Sequence, residues 1–275
     1  MAEKLAAVLI LLILSSAFFP FPVDKVAFLD VGQGDAILLQ NGTQQVLVDG
    51  GQGMVVLRRL GEEMPWFDRT IEVVVLTHPE RDHLEGLVHV LQRYDVGLVV
   101  MPRQSSSSAL SQSWLEELIK RNTPYRFGRR GQRINLAQIK LDLISPESSN
   151  GQRVKNSNDA SIAMKVDFHG LTFMLTGDIG SSVENKIVAA VPASILRADV
   201  LKVAHHGSKS STTDTFLSAV SPEVAVISVG GNNSYGHPHD SVIKRLAGQT
   251  VWRTDENGTI KFIRPKDKWY VAFAG

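Results

Sequence analysis

The chain has 275 residues, of which 43% are hydrophobic and 21% charged, a composition typical of a globular protein with a sizeable core and not of a disordered or fibrous chain. The formal net charge is only +1, so the overall charge does not mark a nucleic-acid binder, and any such site must come from local basic patches. The chain has no cysteine, which excludes disulfides, thiolate metal ligands and a cysteine nucleophile.

The chain begins with an apolar leader. Residues 5–14 are an unbroken apolar run, followed by the small residues 15–17 and by Pro20 and Pro22. The run is shorter than the roughly 20 apolar residues that span a bilayer, but it fits the core of a signal peptide, or a membrane anchor if it is counted on through Phe21. A buried helix is disfavoured because the run has no polar face. We therefore predict that residues 1–22 are a signal peptide or a membrane anchor. Residues 23–275 are then one catalytic domain, exported or membrane-anchored, outside the cytoplasm.

Beyond residue 22 the chain alternates short apolar runs with loops. Runs rich in aliphatic and β-branched residues predict strands at 26–29, 36–39, 45–48, 73–76, 97–100, 138–144, 161–168, 172–175, 200–203, 224–229 and 259–263. Helices are predicted at 84–93, 114–121, 183–190, 214–220 and 241–246. The polar stretch 104–113 predicts a surface loop. Many strands with fewer helices favour packed sheets with helices outside them.

Histidines and carboxylates are concentrated directly after predicted strands. Residues 77–83 (Thr-His-Pro-Glu-Arg-Asp-His) offer two imidazoles and two carboxylates, and Asp178 ends a later strand. Residues 202–208 (Lys-Val-Ala-His-His-Gly-Ser) and 235–239 (Tyr-Gly-His-Pro-His) follow two more strands, so that six of the eight histidines lie in three clusters. Hard or borderline divalent ions take such mixed nitrogen and oxygen ligands. The pattern predicts a metal site, whereas His89 and His169 are read as ordinary surface or boundary residues.

The first cluster, His78-x-Glu80-x-Asp82-His83, resembles the His-x-His-x-Asp-His signature of the metallo-β-lactamase superfamily. Residues 28–36, 48–51, 201–208 and 235–239 narrow the resemblance to the soluble domain of ComEC-type competence proteins, over residues 23–263. The resemblance implies an α/β fold, a four-layer αβ/βα sandwich with two mixed β-sheets and metals at the sheet edges. It also implies a hydrolase that degrades one strand of incoming DNA, with single-stranded DNA as substrate, a membrane attachment and a membrane channel as partner.

The resemblance also leads to a set of metal ligands. The candidates are His78, Glu80, Asp82, His83, Asp178 and His205. His78 and Glu80 are expected to help hold one ion, and Asp82, His83 and His205 a second, with Asp178 between the two ions. The ions are Mn²⁺ or Zn²⁺, with Mg²⁺ as a further candidate, because Glu80 replaces a histidine of the superfamily and hardens the site. No histidine matches the third motif of the superfamily before Asp178; Asn158 or Asp159 faces the metals there, or the position is empty, so one ion or two are expected.

The expected reaction is hydrolysis by a water molecule that the metals activate, at a phosphorus or a carbonyl centre. Asp82 would orient this water, and His237 or His239 would stabilise charge or protonate the leaving group. The candidate substrate-binding residues are Gln33, Asp35, Asn158, His206 and Lys209. Lys202 is also predicted at the rim. The hydroxyl-rich run 207–212 suits phosphate oxygens, although a solvated turn would have the same composition.

Three classes of function are open at this point: a DNA nuclease, another hydrolase on the same fold (a lactonase, a small phosphodiesterase or a β-lactamase), and a non-catalytic binding domain. The nearly complete ligand set disfavours the binding domain. Glu80 and the loop 33–35 favour the nuclease over the other hydrolases.

Overall fold

The computed structural model describes residues 23–104, 108–147 and 156–274. The predicted leader, residues 1–22, lies outside these ranges. Within them, no helix combines the length and the apolar character needed to cross a bilayer.

The strands and helices follow one another along the whole described chain. The strands are β1 (Asp24–Phe28), β2 (Ile37–Asn41), β3 (Gln44–Val48), β4 (Thr70–Val75), β5 (Asp95–Met101), β6 (Tyr125–Phe127), β7 (Arg133–Leu136), β8 (Ile139–Leu143), β9 (Met164–Phe168), β10 (Leu171–Leu175), β11 (Val200–Lys202), β12 (Val224–Ile227), β13 (Thr250–Arg253), β14 (Thr259–Arg264) and β15 (Tyr270–Ala274). The helices are α1 (Val55–Glu63), α2 (Arg81–Arg93), α3 (Ala109–Lys120), α4 (Ser181–Ala190), α5 (Ala193–Leu196), α6 (Asp214–Val220), α7 (Asp240–Arg245) and α8 (Thr254–Asn257).

The strands form two mixed sheets. The first has the order β15-β14-β1-β2-β3-β4-β5-β6 and is parallel from β3 to β6 and antiparallel elsewhere. The second has the order β13-β12-β11-β10-β9-β8-β7 and is parallel from β13 to β10 and antiparallel from β10 to β7.

Alternation of side chains along the strands produces the layers. Val26 and Phe28 of β1 lie in the core between the two sheets, whereas Ala27 and Leu29 pack in a second core beneath α1, α2 and α3. The outer face of the second sheet forms a third core with α4, α5, α6 and α7. Successive residues of a strand point to opposite faces, so apolar residues at both positions give strands that are covered on both sides. The predicted four-layer αβ/βα sandwich with two mixed sheets is confirmed.

The strand ends of the two sheets meet at one edge of the sandwich. Backbone hydrogen bonds join the loops at this edge: the Ile162 amide, just before β9, donates to the Thr77 carbonyl after β4 (2.9 Å), and the His205 amide, after β11, donates to the Gly177 carbonyl after β10 (3.2 Å). Ligand sites in such sheets lie outside the carboxyl ends of parallel strands. The histidine and aspartate clusters of the sequence are therefore brought together at this edge.

Candidate metal centre

Asp49, directly after β3, holds the segment that carries the first two histidines. Its carboxylate accepts from the Thr77 amide (2.7 Å) and the Thr77 hydroxyl (2.6 Å), and it lies 2.8 Å from His83 Nδ1. A carboxylate beside Nδ1 keeps the proton on that nitrogen and directs the Nε2 lone pair to the opposite side of the ring. Asp49 is completely buried, so this contact fixes the tautomer and the orientation of His83.

Helix α2 brings Asp82 and His83 against the turn at 49–51. The Gly50 amide donates to the His83 carbonyl (2.8 Å), and the Gly86 amide donates to the Gly51 carbonyl (3.0 Å). A Cβ atom on Gly86 would lie 1.9 Å from the Gly50 carbonyl oxygen, so any other residue at this position would clash with the backbone of the turn. Two glycines therefore allow the helix to approach the turn closely enough for His83 to reach Asp49.

A buried lysine supports the aspartate that ends β10. Lys202 is completely buried, and its Nζ donates to the Gly177 carbonyl (3.0 Å), lies 3.4 Å from Asp178 Oδ1 and contacts the Asp35 carboxylate. Burial lowers the pKa of Lys202, but Asp35 and Asp178 outweigh burial and raise it, so the ammonium stays charged. The prediction that Lys202 lines the rim is wrong, because its side chain is sealed beneath the centre. Asp35 is buried with it and also lies below the rim.

The segment after β11 makes an unusual turn that aims two imidazoles at Asp178. His205 (φ 52°) and His206 (φ 53°) are both left-handed, a conformation that costs a non-glycine residue about 1–2 kcal/mol. His206 Nδ1 lies 2.8 Å from the Ser228 carbonyl, so it carries the proton, and Nε2 lies 3.4 Å from Asp82 Oδ2 and 3.3 Å from Asp178 Oδ2. His205 Nε2 is more distant, 3.9 Å from Asp178 Oδ2, and its ring is partly exposed.

The structure thus brings together most, but not all, of the predicted ligands. His78, Asp82, His83 and Asp178 form the cluster together with His206, which the sequence reasoning assigned to substrate. His205, predicted as a ligand, lies toward the rim, with its Nε2 3.4 Å from the amide nitrogen of Asn158. Glu80 also lies at the rim, and its carboxylate accepts from the Ser157 hydroxyl. The ligand roles themselves remain predictions.

The remaining predicted site residues occupy three kinds of position. Gln33 accepts from the Gly230 amide (3.3 Å), across the two strand-end loops, and Lys209 is exposed without any ion pair to the described residues. The His237 ring lies 5.7 Å from the His205 ring, and burial together with the nearby His205 and His206 lowers its pKa to about 4. His239 lies apart: it is exposed, and its Nδ1 accepts from the Ser241 amide at the start of α7.

The donor atoms of the cluster fit a divalent metal. The Nε2 atoms of His78, His83 and His206 are all buried and have no hydrogen-bond partner in the described chain. Buried polar atoms are rarely left unpaired, so three at one place indicate a missing ligand. They belong to two overlapping sets whose ligand atoms lie within 4.8 Å of one another: His78, His83 and Asp178, and Asp82, His83 and His206.

The electrostatics also attract a cation. Burial lowers the pKa of His206, but the carboxylates of Asp178 and Asp82, which lie 3.3 and 3.4 Å from its Nε2, outweigh burial and raise the pKa to about 9. The pKa of His83 is raised in the same way, by Asp178 and Asp49 against burial. Burial raises the pKa of Asp178, but His206, His83 and Lys202 hold it well below its usual range. Without a metal, the negative charge of these carboxylates therefore keeps His83 and His206 protonated.

Comparison with known proteins assigns the family. Residues 29–231, which include all of this cluster, match the metallo-beta-lactamase superfamily. The chain belongs to the metallo-β-lactamase superfamily. The predicted family is confirmed, and the superfamily fold implies divalent metal ions at the His and Asp groups described above.

The curated relatives are longer proteins. The chain is 29% identical to ComE operon protein 3 of Bacillus subtilis, over 86% of this chain and 33% of that protein. It is 28% identical to competence protein ComA of Neisseria gonorrhoeae, over 85% of this chain and 31% of that protein. The chain therefore spans about a third of the length of these relatives. It is a metallo-β-lactamase superfamily hydrolase with competence-protein relatives, as the motifs predicted.

A solved structure supports the same fold. The metallo-β-lactamase fold protein YhfI from Bacillus subtilis superposes with a TM-score of 0.55 and 12% identity, covering 82% of this chain and 95% of that one. At this identity the similarity concerns the fold alone.

The sequence did not reveal that Asp49 and Lys202 support the metal centre. In the sequence, Asp49 belongs to the segment 48–51 that supports the family resemblance, where Gly50 and Gly51 follow it, but nothing there shows that it contacts His83. Lys202 resembled a rim cation because it precedes two histidines, and only the placement of Asp35, far away in sequence, shows that it is a buried counter-ion.

Proposed function

We propose that this metallo-β-lactamase superfamily member is a DNA nuclease that hydrolyses phosphodiester bonds during DNA uptake. One observation carries the proposal: three buried imidazole nitrogens without hydrogen-bond partners converge on Asp178, beside Asp82, in a chain whose relatives include a protein named for competence. The site supplies hydrolytic chemistry, and the relatives favour DNA as the substrate.

The residues divide naturally between two ion positions. His78, with Asp178, would hold one ion, with Glu80 or Asn158 as a further candidate ligand; Asp82, His83 and His206 would hold the other. One ion or two are proposed, with Mn²⁺ and Zn²⁺ as the first candidates and Mg²⁺ as a third, because carboxylates and imidazoles both contribute. Divalent ions there would lower the pKa of a water molecule and stabilise the charge that develops on a phosphoryl oxygen.

The chain's own residues position the reactants. Asp82 stays ionised, because the nearby imidazoles of His206 and His83 outweigh burial and lower its pKa, so it can orient a water molecule. His237 is neutral near pH 7 because its pKa is about 4, so it acts by donating a hydrogen bond and not as an imidazolium acid. Lys202 is too deeply buried to touch DNA and acts by holding Asp178.

Export or membrane anchoring through residues 1–22 is part of the proposal, as is a membrane channel that delivers the strand. The apolar run 5–14 supports it. Fractionation of cells that express the full chain, or a chain without residues 1–22, tests this point. Recovery of both forms in the cytosol would contradict it.

The nuclease is tested with an end-labelled single-stranded oligonucleotide and the purified chain. We expect cleavage with Mn²⁺ at least as fast as with Zn²⁺, none in excess chelator, and none with Asp178→Ala in either metal. Cleavage in excess chelator by protein without metal in elemental analysis would refute the metal-dependent mechanism. Hydrolysis of a neutral lactone or lactam with intact DNA would replace the nuclease by a small-molecule hydrolase.

A further inference from the structure

An exposed aromatic and basic edge lies next to the metal centre. Strand β6 is the last strand of the first sheet, and all three of its residues, Tyr125, Arg126 and Phe127, are exposed. The rings of Tyr125 and Phe127 pack edge to face with centroids 5.8 Å apart, and the guanidinium of Arg103 lies 5.7 Å from the Phe127 ring centroid. We call Arg103, Tyr125, Arg126, Phe127 and Arg129 the β6 edge.

The β6 edge has an excess of positive charge. Between Arg121 and Glu147 the chain has six basic residues and two acidic ones, and both acidic side chains are already paired, Asp142 with Arg133 and Glu147 with Arg130. Arg103, Arg126 and Arg129 take part in no ion pair among the described residues. Residues 105–107 and 148–155, which the structure does not describe, include no Asp or Glu.

The register of the first sheet connects this edge to the metal centre. Val75 of β4 is level with Val100 of β5, which is level with Arg126 of β6, and all three strands are parallel. Since neighbouring strands lie about 4.8 Å apart, the end of β6 is about 10 Å to the side of the end of β4, from which His78 follows. A single DNA strand covers that distance with a few nucleotides, since even in the duplex each nucleotide advances about 3.4 Å along the axis.

The loop after β6 crosses to the second sheet along the same rim. Gly128 packs against Ile162, because a Cβ atom on this glycine would lie 2.6 Å from Ile162 Cδ1. The Ile162 amide in turn donates to the carbonyl of Thr77, the residue before His78. Arg129 therefore projects from a loop that is two contacts away from the metal centre.

We propose that the β6 edge binds the single-stranded DNA segment that runs into the metal centre, with bases stacked on Tyr125 and Phe127 and phosphates paired with Arg103, Arg126 and Arg129. This inference rests on the proposed nuclease function. Aromatic faces beside unpaired arginines are the combination that single-stranded nucleic acids bind without sequence preference. An added protein strand is the other occupant of a free sheet edge, but β6 is only three residues long and offers it few backbone hydrogen bonds.

The test measures affinity for a fluorescent oligothymidylate by anisotropy, across a salt series and in chelator, so that cleavage does not interfere. Phe127→Ala is expected to weaken binding about fivefold to a hundredfold, the effect of one lost base stack. The double variant Arg103→Ala/Arg126→Ala should reduce the slope of log affinity against log salt by about 1.4, since each phosphate contact on a single strand contributes about 0.7.

Matched controls lie before β4, β5 and β11 begin, at the ends of these strands that are far from the metal centre. Phe67 also packs edge to face with an aromatic neighbour, at 5.8 Å, but precedes β4, so Phe67→Ala should leave affinity unchanged. Arg93 and Arg197 are exposed just before β5 and β11 begin, so Arg93→Ala/Arg197→Ala should leave the salt slope unchanged. Equal losses in β6-edge and control variants, or no loss in any of them, would overturn the proposal.

Wild-type cleavage distinguishes this failure from failure of the nuclease. If the wild-type chain with Mn²⁺ cleaves DNA but the β6-edge variants bind DNA normally, the β6 edge is wrong and the nuclease stands. If the β6-edge variants lose binding as expected but no DNA is cleaved, the surface stands and the nuclease is wrong. If the affinity of the wild-type chain for DNA does not depend on salt concentration, the proposed phosphate contacts at the β6 edge are also refuted.

Discussion

Replacement of Lys202 by methionine tests whether the lysine is the structural counter-ion of the centre. Lys202→Met keeps a side chain of similar length but leaves the carboxylates of Asp35 and Asp178 buried without their ammonium. Loss of one partner of a buried ion pair costs about 3–5 kcal/mol, and two carboxylates depend on this lysine, so we expect the upper part of that range. For a domain of this size the melting temperature should fall by about 8–20 °C.

The assay is urea unfolding of the full chain in chelator and again with Mn²⁺. The loss of stability should be smaller with Mn²⁺, because a dication beside Asp178 replaces part of the missing charge. The double variant Asp35→Asn/Lys202→Met should be more stable than the single one, since it removes one of the unpaired carboxylates. Lys25→Met is the matched control, because Lys25 is another buried lysine, paired with Glu63 at 2.8 Å. The loss of stability in this variant should be the same in chelator and with Mn²⁺. A free energy of unfolding in chelator within about 1 kcal/mol of the wild type would refute the role of Lys202.

Three further predictions concern the ligands and the rim. Asp49→Asn should lower divalent metal affinity about 10-fold to 100-fold in a chelator competition assay, because it removes the charge that orients His83; unchanged affinity would contradict this role. Because the pKa of His206 is raised to about 9, its imidazolium stabilises the folded protein fully below about pH 6.5 and progressively less as the pH rises to about 9. The metal-free protein should therefore lose about 3 kcal/mol of its free energy of unfolding over that window. Metal binding, which needs the neutral ring, should strengthen over the same window. Urea unfolding and titration calorimetry measure both, and a flat stability profile would show that His206 does not carry the extra proton. Lys209→Ala should weaken binding of single-stranded DNA and reduce its salt slope by about 0.7, whereas Asp178→Ala should remove turnover and leave most DNA binding; equal slopes for Lys209→Ala and wild type would exclude the phosphate contact.

Most of the fold could be predicted from the sequence where apolar residues recur with the period of a strand or helix. Strand β6 and helix α1 were not predicted, because neither has a regular apolar period. Strand β6 is exposed at all three residues, and helix α1 has Arg59 on its buried side, where it bonds to the Asp30 carbonyl (2.8 Å) and carboxylate (2.9 Å). A charged residue on the core face interrupts the apolar pattern.

The candidate site was predictable as a set of residues but not as an arrangement. Each cluster follows a strand, which is visible in the sequence, and the parallel strand ends bring the clusters together. Which of two adjacent histidines turns inward depends on the left-handed backbone at His205 and His206, and nothing in a pair of identical residues reveals it. The depth of Lys202 depends likewise on Asp35, which reaches it from another sheet.

The contact between Gly50 and Gly86 sets a limit on how this chain can vary. A saturation library would be expected to show its least tolerant backbone positions at these two glycines, although neither can bind a metal or donate a proton to a substrate. A methyl group at Gly86 would clash with the Gly50 carbonyl and push α2, which carries Asp82 and His83, away from the turn. Anyone who redesigns the site for another substrate should therefore leave this glycine pair unchanged and place the changes at the rim, where the side chains of Glu80 and His205 are partly exposed.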